Sequence, residues 1–268
     1  FGLWRARHER GSVKALHDGR AAANGLASAR LAAAGFEGPL RILEGEQGFF
    51  PALAPEGEAE DVLAPADRWL IHDVSFKPHA ACRHAHPAID AALALRAQME
   101  LPIRAAAIEA VSVAAYADAI RFCNRPEPQS AAEAKFSLQH SVAVALLHGD
   151  AGLERFEPSA LHEPALGALR QRITLAESPE LTAAYPARFG AQLTVWADGR
   201  RRIVKMHDAL GDPEHPLDAA GRRAKARALF AWGGLEAFEG ERLISLVEAL
   251  GETAAFSDLA QALPGARA

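Results

Sequence analysis

Three stretches of the chain gather side chains able to hold an anion or move a proton. The first is Ser12-Val13-Lys14-Ala15-Leu16-His17-Asp18-Gly19. Lys14 and His17 are three apart and share a face of a helix. An ammonium and an imidazole at a helix start make a carboxylate clamp, although a solvated helix end is the plainer reading of the pair. The second is Phe76–Pro87, where Lys77, His79, Cys82, Arg83, His84 and His86 crowd a loop leading into a helix. A helix N-terminus attracts anions through its unpaired N–H groups. Two other readings stay open. His79, Cys82, His84 and His86 could ligate a metal, but their spacing follows no recognised zinc pattern; the loop could equally be basic surface without a role.

The third stretch is Asn124-Arg125-Pro126 followed by Lys135-Phe136-Ser137-Leu138-Gln139-His140. His140 falls on an apolar helix face, where a histidine is more often a hydrogen-bonded core residue than a catalyst. Arg200-Arg201-Arg202 follows a hairpin turn and reads as a solvated tip. No glycine-rich phosphate loop follows a strand, and neither a nucleophile elbow nor a CxxC pair occurs. What remains is chemistry that needs only positioned acids, bases and cations.

The elements that must position these residues come next. Lys14–Ala34 is rich in Ala and Gly and predicts a helix ended by Gly35. Residues 52–66 combine Pro, Gly and acids without a period and read as surface loop or short helix. Pro87 predicts the first turn of a helix over Ala88–Met99. Ile108–Ala115 predicts a strand, Ala132–Leu147 one apolar helix, Pro164–Arg170 another helix and Ile173–Ala176 a strand. Gln192–Trp196 and Arg202–Met206 flank Asp198-Gly199, a hairpin signal. Helical patterning returns from Leu217 onward. The order helical, mixed, helical predicts an α+β chain: an all-helical domain built from both ends, with an α+β lid inserted. The boundaries are 1–74 and 214–268 for the helical parts and 75–213 for the lid.

Of the 268 residues, 50% are hydrophobic and 24% charged, enough for one large domain or two modest ones. The net charge of −5 gives no electrostatic reason to expect nucleic acid or an anionic membrane as partner. Two cysteines, Cys82 and Cys123, make no disulfide framework, so a reducing, cytoplasmic location is expected. No apolar run reaches the length of a membrane span. The start, Phe1-Gly2-Leu3-Trp4, has no Met and no signal-peptide core, and is read as the start of a fragment or processed product.

Taken together and in order, the stretches resemble the MmgE/PrpD family. VKALHDGRAAANGLASARLAAAGFEGPLRILEGEQGFF is similar to the family's K-x-x-H-x-G-x-A-A…G-[FY]-x-G-P…L-E-G…G-F stretch. SFKPHAACRHAHPAIDAAL is similar to its K-x-x-x-x-C-x-x-x-H-x-x-I-D stretch. NRPEPQSAAEAKFSLQHSVAVALLHG resembles the segment built on F-S-x-x-[YH], and GDPEHPLDAAGRRAKARALF the return to the helical domain. The resemblance implies the same helical domain with an inserted lid. It also implies acid–base chemistry on a small polycarboxylate, with no cofactor and no metal, in a homodimer. Family members dehydrate 2-methylcitrate in propionate metabolism, decarboxylate cis-aconitate or epimerise iminodisuccinate. They carry a long helical portion ahead of this stretch that supplies further active-site residues, so this chain is expected to hold part of the site.

By position, Lys14 and Lys77 match two active-site lysines of the family. Cys82 falls where the decarboxylases have a catalytic His and many other members a Cys, and His140 where the decarboxylases have a Tyr. Both departures weaken the decarboxylase reading and favour a dehydratase or an uncharacterised relative. The resemblance thus implies Lys14, Lys77, His140 and Cys82 as catalytic residues, and His17, His86 and Arg83 as substrate-binding residues. Lys14 and Lys77 would bind carboxylates, with His140 or His86 as the acid or base. A truncated relative serving only as an assembly module is the non-enzymatic alternative.

Overall fold

Gly35 shows how local chemistry sets the first boundary. In the computed structural model, helix α1 runs Val13–Ala33, and Gly35 follows at φ 91°. Gly35 N–H then reaches Ala32 O, and Phe36 N–H reaches Leu31 O, which satisfies carbonyls the helix leaves open. Residues 13–54, 56, 67, 69–99, 102–252 and 254–263 are described, with side chains from Leu16 onward. Most of the loop read over 52–66 lies outside them. The chain divides into two compact units, Phe1–His72 and Asp73–Ala268. Within the first, α1 is followed by turns and a short helix over Phe49–Leu53.

The second unit is built on a four-stranded mixed sheet, β1 (Ile108–Ala115), β2 (Ile173–Glu177), β3 (Ala191–Ala197) and β4 (Arg200–Met206), in the order β2-β1-β3-β4. β1 pairs parallel with β2 and antiparallel with β3, and β3 with β4. The β3–β4 hairpin turns through Asp198 and Gly199, both at positive φ, as the sequence predicts. Helix α2 (His86–Arg96), with Pro87 in its first turn, packs against β3, β4 and helix α4 (Leu138–His148). Their facing side chains, among them Ile89, Leu95, Val142, Leu146, Leu193 and Val195, form the main core. Between them, α3 (Ala117–Cys123) follows β1, and α5 (Pro164–Arg170) leads into β2. After the sheet come α6 (Ala219–Trp232), α7 (Ala237–Glu248) and α8 (Phe256–Ala262).

One element differs from its prediction in a way that matters for the site. The single helix expected over Ala132–Leu147 is two, Ala131–Ala134 and α4, because Ser137 adopts extended backbone and caps α4 with its hydroxyl. Ser137 Oγ accepts from His140 N–H at 2.9 Å and donates to Arg125 O at 2.5 Å. A Ser that caps one helix competes with continuation of the one before it. Among the described residues no helix is long and apolar enough to cross a membrane.

Candidate active site

The basic loop is held by its own histidines. His79 Nε2–H donates to Asp90 Oδ1 at 2.8 Å, and the other oxygen of Asp90 accepts from Leu210 N–H at 2.7 Å. His84 Nδ1 lies 2.6 Å from the Tyr116 hydroxyl, in an aromatic nest where its ring stacks on Phe122 and Phe189. Burial pushes the Tyr116 phenol far above its usual range, so it keeps its proton. His86 is buried, and because a carbonyl can only accept, its Nε2–H donates to Ala81 O at 3.3 Å. The imidazoles thus point to separate partners. Among the described residues no three His, Cys, Asp or Glu side chains gather in metal-ligating geometry.

Arg83 reaches across the sequence to the buried Asp212: Nε and Nη2 both contact Oδ1, at 2.9 and 2.6 Å. Its guanidinium also lies 3.3 Å over the Phe189 ring. A fork so occupied fixes the loop to the segment after β4, and a substrate carboxylate would have to share it.

Cys82 is partly buried at the start of the 3-10 turn Arg83–Ala85, with its N–H on Lys135 O at 2.7 Å. Its thiol is hydrogen-bonded to that of Cys123, at the end of α3; that bond and burial push the Cys123 thiol well above its usual range. The charges of Arg125 and Lys77 act on Cys123 in the opposite sense. Arg125 is placed by the F-S-x-Q stretch: Ser137 holds its carbonyl, Gln139 Oε1 accepts its N–H at 3.2 Å, and Gln139 Nε2 donates to Asn124 Oδ1 at 2.7 Å.

Lys77 is exposed, and its charge acts on Cys123 and His86. Lys225, on α6, was not singled out from sequence, yet burial and then the like charge of Lys77 hold its ammonium below the ordinary lysine range. Lys225 and Pro78, the residue after Lys77, line one cavity of about 210 Å³, with Leu229 and Trp232 of α6. Asp150 and Glu154 line the same cavity, so Lys225 is its one cation among the described lining residues. Only the motif match pointed to α6, since a lone Lys on an exposed helix carries no pattern of its own.

His140 is fully buried. Its Nε2–H donates to Arg155 O at 2.7 Å, and its Nδ1 accepts from Arg170 Nη1 at 3.2 Å. Both nitrogens are therefore engaged with the neutral ring. His17 is partly buried on α1 of the first unit; the backbone of Lys14 lies in the same helix, and its side chain lies outside the described residues.

The buried histidines give a stability signature. Burial lowers His86 to about 3 and His140 to about 4, from an ordinary 6.5. Both rings take up a proton more readily in the unfolded chain, so their contribution is complete above pH 6.5 and shrinks as pH falls toward those values. Urea unfolding should lose up to ~1.4 kcal/mol per pH unit for each ring between about pH 6 and pH 4. A flat profile there, or no change in slope on His140→Phe, would contradict these positions.

Residues 79–251 match the family model described as MmgE/PrpD C-terminal domain, and residues 1–61 match the MmgE/PrpD N-terminal domain. The chain is 28% identical over 220 residues to cis-aconitate decarboxylase of Mus musculus, covering 81% of this chain and 45% of that protein. It is 30% identical over 224 residues to 2-methylcitrate dehydratase of Cupriavidus necator, covering 80% and 45% respectively. With the decarboxylase of Homo sapiens the identity is 25% over 260 residues, covering 94% and 53%. The chain therefore spans about half the length of the curated relatives it matches.

Proposed function

Because this chain belongs to the MmgE/PrpD family, we propose that it forms part of a lyase that dehydrates a 2-methylcitrate-like hydroxy-tricarboxylate by acid–base elimination. The observation that carries the reading is the pairing of Lys77 with Lys225, in a family whose relatives here are a decarboxylase and a dehydratase of small polycarboxylates. In such an elimination a base takes a proton from carbon next to a carboxylate, and the hydroxyl on the neighbouring carbon leaves as water. Negative charge grows on that carboxylate as the C–H bond breaks. Fixed ammonium groups aimed at it stabilise the transition state more than the ground state.

In this reading Lys77 and Lys14 bind carboxylates, Lys225 adds a third cation, and Cys82 takes a catalytic role. Lys225, its ammonium held below the ordinary lysine range, is the group this reading assigns to proton exchange. His140 and His86 enter as positioning residues, holding the carbonyls of Arg155 and Ala81. No cofactor takes part in the scheme, and a cytoplasmic homodimer is its expected form, which sedimentation of the purified protein would check.

The direct test extends the chain at its N-terminus to the length of its relatives and offers it 2-methylcitrate, citrate, cis-aconitate and iminodisuccinate. Dehydration of 2-methylcitrate in preference to the others supports the reading; absence of turnover on all four ends it. Lys225→Met in the same protein should raise KM about tenfold if Lys225 binds the ground-state carboxylate, and lower kcat instead if it moves the proton. A change in neither removes Lys225 from the site.

A further inference from the structure

The β3–β4 hairpin carries arginines on the side of the sheet where core residues belong. In its register Arg202 lies opposite Val195, and Arg200 opposite Ala197, both members of the main core. Directly opposed residues of an antiparallel pair project to the same face. Arg200 and Arg202 therefore continue the face that carries Val204 and Met206, which pack against the core nearer the other end of β4. Arg201 projects the opposite way, 5.9 Å from the Trp196 ring. The solvated tip expected from the Arg-Arg-Arg run describes Arg200 and Arg201, both exposed, whereas Arg202 is partly buried.

Helix α2 ends at Arg96, and the connection beyond it meets this face. Together they bound a cleft of about 530 Å³ with Arg104, Arg200, Arg202, Gln98, Met99 and Ile103 among its walls. Ile103 belongs to the core and Met99 packs against it, so the cleft has an apolar lining beside its arginines. Elsewhere Arg83, Arg155, Arg188, Arg223 and Arg227 each hold a carboxylate. Among the described residues no ion pair forms at Arg104, Arg200 or Arg202; Arg202 makes only a 3.4 Å contact with Ala197 O. Asp198 is the one acid among the described lining residues, against three arginines.

We propose that this cleft binds a phosphorylated small molecule of nucleotide size, its phosphates on the three guanidiniums and its apolar or planar body against Met99 and Ile103. The guanidinium fork matches phosphate oxygens in pairs, and three forks in one cleft suit a ligand with at least two negative charges. The volume falls within the ~300–1,000 Å³ of small-molecule pockets. This site is separate from the Lys77 cluster and does not depend on the reaction proposed there.

Calorimetric titration of the chain with adenosine diphosphate and with inorganic pyrophosphate tests it. Adenosine diphosphate should saturate with a Kd below about 1 mM at low salt, more tightly than pyrophosphate, and weaken as salt rises. Arg200→Ala with Arg202→Ala should weaken it at least about tenfold, as should Arg104→Ala, which alters a different segment; ~1.4 kcal/mol for a lost charge-assisted pair corresponds to that factor. Lys77→Ala should leave the binding unchanged. The proposal is overturned if neither compound binds, if the arginine variants bind as the parent does while keeping its circular dichroism, or if Lys77→Ala abolishes binding.

Discussion

Replacing Lys77 by Ala in the extended protein is expected to lower kcat/KM for 2-methylcitrate by about 10²–10³, the usual cost of removing one preorganised group facing developing charge. The side chain is exposed at the start of a loop fastened on both sides of it, by Phe76 N–H on Gly211 O and by His79 on Asp90. Its removal should leave the unfolding midpoint nearly unchanged, so a loss of rate would report chemistry and not folding. Lys77→Arg keeps the charge but moves it and should recover binding more than turnover. Combining Lys14→Ala with Lys77→Ala checks whether the two ammonium groups serve one substrate. Strongly non-additive losses would show that they do, and simple additivity would separate them. A single Lys77→Ala variant within about twofold of the parent, under ~0.5 kcal/mol, would remove Lys77 from the mechanism.

Gly211→Ala is expected to destabilise the second unit by about 3 kcal/mol or more, combining backbone strain with overpacking. Gly211 sits at φ 94°, and a Cβ there would stand 2.0 Å from Phe76 O. That oxygen cannot retreat cheaply, because Phe76 N–H donates to Gly211 O at 2.8 Å and Lys77 is the next residue. The neighbouring Asp212 holds Arg83, so a shift at 211 strains the basic loop at two places. Urea unfolding measures the loss, and any folded Gly211→Ala protein should also show a raised KM through displaced Lys77. Unfolding within ~0.5 kcal/mol of the parent would mean that the two segments do not approach as described.

Elements with local causes were readable. Gly35 stops α1 through a left-handed residue, Pro87 opens α2, and Asp198-Gly199 turns the hairpin, each within a few residues of its signal. Ile108–Ala115 is the strand its apolar spacing predicts. The break at Ser137 was less legible, because a Ser inside an apolar helical run looks tolerable until its hydroxyl finds Arg125 O across twelve residues. The same holds for His140. An apolar face indicated burial, but Arg155 O and Arg170, at separations of 15 and 30 residues, decide how its nitrogens are used.

By itself the sequence determined the residue types available for chemistry, the positions of turns and caps, and the order of motifs that carries the family relationship. These depend on side-chain identity and on interactions within a turn or two of the chain. The tertiary structure decided which side chains act together: Lys225 near Lys77, Cys123 against Cys82, Arg83 on Asp212, and Arg200 and Arg202 at one cleft. Electrostatic interaction and burial depend on distance in space, and pairs separated by 129 or 148 residues leave no periodicity for a local reading to detect.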